Sequence, residues 1–185
     1  MKKVIFPIFS LFLLFVSSQL VKGIFFLKAP LEYSNQIIFA LLLNLYLTGV
    51  FAFIGFAYKS SLLLPSSYYQ INNPKKLLRI YKKIGVKYFR RALMISFWGK
   101  SKNRKKYFNG RRSGIVNLTY QSKQSEFGHL AAMVLIFLAS FSAAASKQFV
   151  LFFMINAINI IANFYPVILQ RHHRLRINKI GLITN

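Results

Sequence analysis

The fold of this chain is decided by residues 125–176, which read SEFGHLAAMVLIFLASFSAAASKQFVLFFMINAINIIANFYPVILQRHHRLR. Two apolar runs, each about long enough to cross a bilayer as a helix, are separated by a short turn at Lys147. Consecutive helices joined by a short turn pack antiparallel. The stretch therefore predicts a helical hairpin whose open end brings five polar residues side by side: Glu126, His129, Asn163, Gln170 and Arg171.

The composition of the whole chain is that of an integral membrane protein. Of its 185 residues, 55% are hydrophobic and 17% aromatic, with 20 Phe, which a soluble domain of this length does not need. No polar or Pro/Gly-rich linker divides the chain, so we expect a single membrane domain over residues 1–185. No cysteine is present, which excludes disulfides and thiolate metal sites.

The hydrophobic runs predict four transmembrane helices, at about residues 4–20, 36–58, 126–146 and 149–169. The first run also has features of a cleaved signal peptide, with small residues near Ser18. We favour an uncleaved helix, because the run approaches the roughly 20 residues that a span requires. The predicted fold class is an all-α integral membrane protein.

Residues 59–124 form a basic region that holds 17 of the 26 Lys and Arg residues. Between residues 75 and 98, apolar positions recur at helical spacing among these cations, which predicts one amphipathic helix lying in the membrane interface. Asn73-Pro74 is a helix-start signal. Residues 99–124 are expected to form an irregular loop that turns at Asn109-Gly110.

The charge distribution predicts the orientation in the membrane. With the N-terminus inside, cytoplasmic segments hold 23 basic residues and outer segments hold 3. Because basic loops remain in the cytoplasm, we expect both termini and the region 59–124 on the cytoplasmic side of the inner membrane. The net charge of +24 favours anionic membrane lipid as a partner. Nucleic acid is not expected, because the chain has no nucleic-acid-binding motif, and the oligomeric state is not indicated.

Single cysteines test this orientation, since the chain has none of its own. An impermeant thiol reagent applied to intact cells is expected to label Ser34→Cys, in the first outer segment, and to leave Ser101→Cys unlabelled. Labelling of Ser101→Cys from outside would contradict the predicted topology.

Glu126 and His129 lie three positions apart, so on a helix they share a face. A carboxylate that orients an imidazole prepares it to act as a general base. The simpler interpretation is an acid that favours a helix N-terminus beside an interfacial histidine. Glu126 is the only acid after Glu32 in a chain that otherwise avoids acids, and this favours Glu126 and His129 as catalytic residues.

A stripe of amides runs along the predicted fourth helix. Its members follow helical spacing and are Asn156, Asn159, Asn163 and Gln170. Polar side chains at bilayer depth either bind helices together or line a polar cavity. The first role accounts for Asn156, and the other three are candidate substrate-binding residues. Pro166 is expected to kink this helix and to free the carbonyl of Ala162.

The last predicted helix ends in a cluster of cations and histidines. Arg171, Arg174 and Arg176 act as stop-transfer charge or as a fork that binds phosphate. His172 and His173, with His129 and Glu126, offer an alternative metal site, although we expect no metal. A di-iron carboxylate site is excluded, because it requires several acids.

These residues resemble a known family, the glycosyl-4,4'-diaponeurosporenoate acyltransferases of carotenoid biosynthesis. The similar positions cover roughly residues 80–180 and include Gly85, Tyr88, Phe89, Trp98-x-Lys100, Glu126-x-x-His129, Ala162-Asn163, Pro166 and Gln170-Arg171-x-x-Arg174-x-Arg176. The resemblance implies a small membrane enzyme that esterifies a fatty acyl chain onto the sugar of a glycosylated carotenoid.

The predicted function is therefore acyl transfer onto a hydroxyl of a lipid-soluble acceptor, such as a glycosylated carotenoid. His129 would be the base and Glu126 its orienting partner. Amides would bind the acceptor or the oxyanion, and arginines would hold the acyl donor, an acyl-CoA or acyl carrier protein; these residues are Asn159, Asn163, Gln170, Arg171, Arg174 and Arg176. No cofactor is expected. The alternative is a non-enzymatic membrane subunit whose basic cytoplasmic loop binds anionic lipid or an acidic partner.

Overall fold

The computed structural model of the protein describes residues 1–27, 29, 31–98 and 112–183, with the backbone alone for 97–98, 112–113 and 179–183. Its α-helices are α1 (Lys2–Phe25), α2 (Tyr33–Ala57), α3 (Pro74–Lys83), α4 (Val86–Leu93), α5 (Arg112–Ala145), α6 (Phe149–Asn159) and α7 (Tyr165–Ile183). Two 3-10 turns, Ser60–Leu63 and Ser66–Tyr69, precede α3, and two π-turns, Met94–Trp98 and Ile160–Phe164, follow α4 and α6. These described ranges contain no β-strand, which confirms the all-α prediction.

Four helices among the described residues are long and apolar enough to cross a membrane, as predicted. They are Lys2–Phe25, Tyr33–Ala57, Gly114–Ala145 and Phe149–Asn178. The turn between the last two contains Lys147, whose φ of 59° lets the chain reverse. The prediction of four such helices is confirmed, while their orientation in a membrane stays a prediction.

The third span begins much earlier than predicted. The hydrophobic run predicts a start at about residue 126, whereas α5 begins at Arg112. The expectation of an irregular loop up to residue 124 is therefore wrong from Arg112 onward, and Asn109-Gly110 lies outside the described residues. The polar residues that resembled a loop form tertiary hydrogen bonds: Gln124 Oε1 accepts from Ser61 N (3.1 Å), and Ser122 Oγ donates to Gln170 O (3.1 Å).

The fourth span is interrupted where Pro166 was expected to disturb it. The α-helical pattern ends at Asn159, a π-turn covers Ile160–Phe164, and α7 begins at Tyr165. Proline has no N–H to donate to the carbonyl four residues before it, and π-turns are common at functional sites. Asn163 lies within this interruption, and the arginines lie on α7 after it.

The chain divides into two compact units, and the first consists of Met1–Ser60 and Gly128–Phe164. In it α1 packs along α2, and α2 packs against α6. Its buried core includes Leu43, Leu47, Ile136 and Ile155. Gly49 permits the close approach of α1, since a Cβ there would lie 2.7 Å from Leu13 Cδ1. The single-domain organisation over residues 1–185 stays a prediction.

The outer faces of the first unit are apolar. Large side chains that are about half exposed or more include Phe12, Phe15, Leu45 and Phe153. A soluble protein does not leave so much apolar surface uncovered. The hydrocarbon core of a bilayer accounts for these faces, because there the solvent is itself apolar.

The second unit consists of Ser61–Phe127 and Tyr165–Asn185. In it α3 and α4 pack against α7, around a core of Tyr81, Val86 and Leu169. Asn73 caps α3 as predicted, because its Oδ1 accepts from Lys76 N at 2.9 Å.

The predicted single amphipathic helix over residues 75–98 is wrong in its continuity. Gly85 adopts a left-handed φ of 71°, which ends α3 and starts α4 in a new register. Leu77 and Tyr81 are buried, as the helical stripe predicts, but Tyr88 and Ile95 of the same stripe are exposed. Location in the membrane interface stays a prediction.

Candidate functional site

The first candidate site lies in the first unit and centres on His129. This half-buried residue of α5 has its Nδ1 3.0 Å from Oδ1 of Asn163 in the π-turn. The same oxygen accepts a hydrogen bond from Thr48 Oγ1 of α2 at 3.2 Å. The imidazole also interacts with the backbone of Ala162. Three helical segments therefore hold the ring in one orientation.

The hydrogen-bond network determines which nitrogen of His129 carries the proton. Asn159 Nδ2 donates to the backbone carbonyl of Met133 (2.9 Å), so its Oδ1 is the atom that accepts from Asn163 Nδ2 (3.0 Å). The oxygen of Asn163 must then face His129. Because an amide oxygen only accepts, Nδ1 of His129 is assigned as the donor, which places the lone pair of the neutral ring on Nε2.

Asn156 belongs to a different contact of the same unit. Its Nδ2 donates to Ser140 Oγ and to the carbonyl of Phe152, both at 2.9 Å. These bonds join α6 to α5 and have no part in the chain of bonds at His129. This agrees with the structural role that the sequence predicted for Asn156.

The second candidate site lies in the second unit and centres on Glu126. This side chain is completely buried. Its Oε1 accepts from Arg171 Nε at 2.8 Å, and its Oε2 is paired with Arg174. Arg174 is 3% exposed and Arg171 27% exposed, so the carboxylate and one of its cations are both removed from solvent. One carboxylate thus joins two arginines of α7 to α5.

Two tyrosines from the turn Ser66–Tyr69 complete this cluster. Arg171 donates from Nη2 to the carbonyl of Tyr68 (3.2 Å), and its guanidinium lies 4.6 Å from the centre of the Tyr68 ring. Arg174 lies 5.5 Å from the Tyr69 ring and donates to Ser122 Oγ at 3.2 Å. Cation–π contacts of this kind strengthen when they are desolvated.

The two tyrosines are neutral partners and not bases. Burial, together with the negative charge of Glu126, raises the pKa of Tyr69 to about 12. Burial and the same carboxylate also raise the pKa of Tyr68. Both phenols therefore stay protonated at physiological pH, so neither can accept a proton from a substrate.

The structure distributes the predicted site residues between the two units. His129, Asn159 and Asn163 share the first network, whereas Glu126, Arg171 and Arg174 share the second. Gln170 donates from Nε2 to Ser125 Oγ at 3.2 Å, and Arg176 is exposed. The juxtapositions expected from the hairpin, His129 with Asn163 and Glu126 with Arg171, are confirmed.

Four residues of these networks were missed in the sequence: Thr48, Tyr68, Tyr69 and Ser122. Thr48 was visible as a polar interruption in an apolar helix, and Tyr68-Tyr69 as paired aromatics beside the basic region. Neither signal indicates a partner, because the contacts join segments that are distant in the chain.

The remaining histidines lie in the second unit. His172 stacks on Tyr81, with ring centroids 4.0 Å apart and an interplanar angle of 14°. The part of the chain that the structure describes contains no group of three or more His, Asp or Glu that could hold a metal ion.

A comparison with protein-family models shows the family of the chain. The model described as glycosyl-4,4'-diaponeurosporenoate acyltransferase matches residues 65–181, a range that includes every predicted site residue. No curated protein and no solved structure matches the chain. Since the match covers more than half of its length, the chain belongs to the glycosyl-4,4'-diaponeurosporenoate acyltransferase family.

Proposed function

We propose that the protein is a membrane enzyme that esterifies a fatty acyl chain onto a hydroxyl of a glycosylated carotenoid or a similar lipid acceptor. Membership of the family supports acyl transfer in carotenoid biosynthesis. The observation that carries the mechanism is the hydrogen bond of 3.0 Å between His129 Nδ1 and Asn163 Oδ1, because it leaves Nε2 of the imidazole as a base.

The proposed reaction follows from this tautomer. Nε2 of His129 removes the proton of the acceptor hydroxyl as its oxygen attacks the thioester carbonyl of the acyl donor. The new C–O bond forms, the C–S bond breaks, and the thiolate leaves with the proton from His129. The donor is an acyl-CoA or acyl carrier protein, and no cofactor is required. Asn163 is a positioning residue, because it holds Nδ1–H and supports the imidazolium that forms.

The arginines have different roles in this proposal. Arg174 is 3% exposed and paired with Glu126, so its role is to hold α7 against α5. Arg171 is 27% exposed and Arg176 is exposed, so their guanidinium groups can reach a phosphate of the donor. The cytoplasmic orientation proposed from the charge distribution gives these arginines of α7 access to a cytoplasmic thioester.

The proposal is tested with the purified full-length protein in detergent. Supplied with palmitoyl-CoA and a glycosylated carotenoid, it is expected to form the acyl ester of the sugar, detected by mass spectrometry. The carotenoid without its sugar is the matched control and should remain unchanged. An inactive preparation whose folding is verified, with both CoA and acyl-carrier-protein donors, would contradict the proposed function.

The same assay tests the positioning role of Asn163. Asn163→Ala is expected to lower kcat towards the lower end of the about 10²–10⁴-fold range of a positioned acid–base group, with little change in KM. Asn156→Ala is the control, since it removes an amide of the same helical stripe that bonds Ser140 and Phe152 instead. Equal losses in the two variants would mean that Asn163 only stabilises the fold.

A further inference from the structure

The second unit contains an open cleft of about 430 Å³ that the networks above do not use. One wall is the N-terminal part of α5, and the other is the connection that follows α2. Its apolar lining includes Leu62, Leu64, Ile115 and Val116. The volume falls within the roughly 300–1,000 Å³ that is typical of small-molecule sites.

The two ends of the cleft differ in chemical character. Its lining on α5 extends from Ile115 to Lys123, a distance of about 12 Å at 1.5 Å per residue. The lining is aliphatic at the Ile115 end, whereas at the other end the ammonium group of Lys123 lies 5.5 Å from the ring centre of Tyr69. An elongated apolar groove with a cation at one end is complementary to an amphiphile with one hydrocarbon chain and a polar or anionic head.

The rim supports the same conclusion. Leu62 is 76% exposed and Val116 73% exposed, although both line a concave surface. Ligand sites are typically concave and mostly apolar, and exposed apolar patches mark interaction sites.

We propose that this cleft binds the fatty acyl chain of the acyl donor, with the polar end of the donor at Lys123. The assignment rests on the proposed function, because an acyltransferase must hold a fatty acyl chain. Tyr69 connects the two sites, since its ring contacts Lys123 at the cleft and Arg174 of the Glu126 cluster.

Binding is tested independently of turnover by photo-crosslinking. Palmitic acid that carries a diazirine on its chain is expected to label, saturably, peptides from residues 60–69 and 112–123 of the full-length protein, also in a His129→Ala background. Leu62→Trp, which fills the cleft, should reduce this labelling at least about 10-fold. Leu63→Trp is the matched control, because Leu63 is 74% exposed but is not among the described residues that line the cleft.

A second pair of variants tests whether Leu62→Trp reduces labelling by disturbing the turn Ser60–Leu63 instead of filling the cleft. Val116→Trp should reduce labelling as Leu62→Trp does, whereas Val134→Trp, at an exposed valine farther along α5, should not. Lys123→Met should weaken labelling by the carboxylate probe more than labelling by its methyl ester. Labelling that is equal in Leu62→Trp and Leu63→Trp would overturn the proposal, whether or not the protein transfers acyl groups.

Product analysis separates a donor chain from the chain of a structural lipid. With a mixture of short and long acyl-CoA donors, Leu62→Trp is expected to shift the ester products roughly 10-fold towards shorter chains, and Leu63→Trp to retain the wild-type profile. Reduced labelling without a change in product profile would assign the cleft to a membrane lipid and overturn the donor assignment. If no ester forms with any variant, the proposed function fails, while the labelling still decides whether the cleft binds an acyl chain.

Discussion

Replacing His129 with alanine is expected to lower the turnover of acyl transfer by about 10²–10⁴-fold, the usual contribution of a positioned acid–base group. The variant lacks the imidazole that Asn163 orients as the base, so the acceptor hydroxyl must be deprotonated by water. Folding should change little, because His129 is only half-buried. The measurement is kcat per folded molecule with saturating donor and acceptor.

His172→Ala is the informative control for this experiment. His172 stacks on Tyr81 in the second unit, so its loss should affect packing more than turnover. The metal alternative instead makes His172→Ala or His173→Ala as damaging as His129→Ala and makes activity sensitive to a chelator. A fully active His129→Ala variant would end the proposed mechanism, because acyl transfer would then not depend on this base.

Removing the charge of Glu126 is expected to have the largest effect on stability. Glu126→Gln leaves Arg174, which is almost completely buried, without its counterion. Breaking a buried ion pair on one side costs about 3–5 kcal/mol, because the remaining charge is not compensated. We expect a lower yield of folded protein and a lower midpoint of thermal aggregation in detergent.

Two control variants test whether the loss of stability comes from the buried Arg174 that is left without its counterion. Glu32→Gln removes the only other acid of the chain, which is exposed before α2, and should leave stability unchanged. Glu126→Gln combined with Arg174→Met should recover part of the loss, since it removes a buried cation as well. A stable Glu126→Gln protein with turnover reduced as far as in His129→Ala would instead support the sequence-based role of Glu126 as the partner that orients His129.

The sequence by itself determined the architecture of the membrane part. Apolar runs of sufficient length have few alternatives to transmembrane helices, because a backbone in lipid must satisfy its own hydrogen bonds. The four spans and the short turn at Lys147 follow from that constraint. The hairpin connectivity also placed His129 near Asn163 and Glu126 near Arg171, since a reversal of chain direction fixes which residues meet.

Only the tertiary structure decided what each polar residue bonds. On sequence spacing, Glu126 is a natural partner for His129, but two arginines from α7 provide far stronger electrostatic compensation for a buried carboxylate. The imidazole is left to Asn163, whose orientation depends on a bond from Asn159 to the carbonyl of Met133. The start of α5 at Arg112 and the break at Gly85 could not be predicted for the same reason. Local sequence patterns indicate helix propensity and periodicity. Contacts between distant segments decide which polar segments remain helical and which face of a helix is buried.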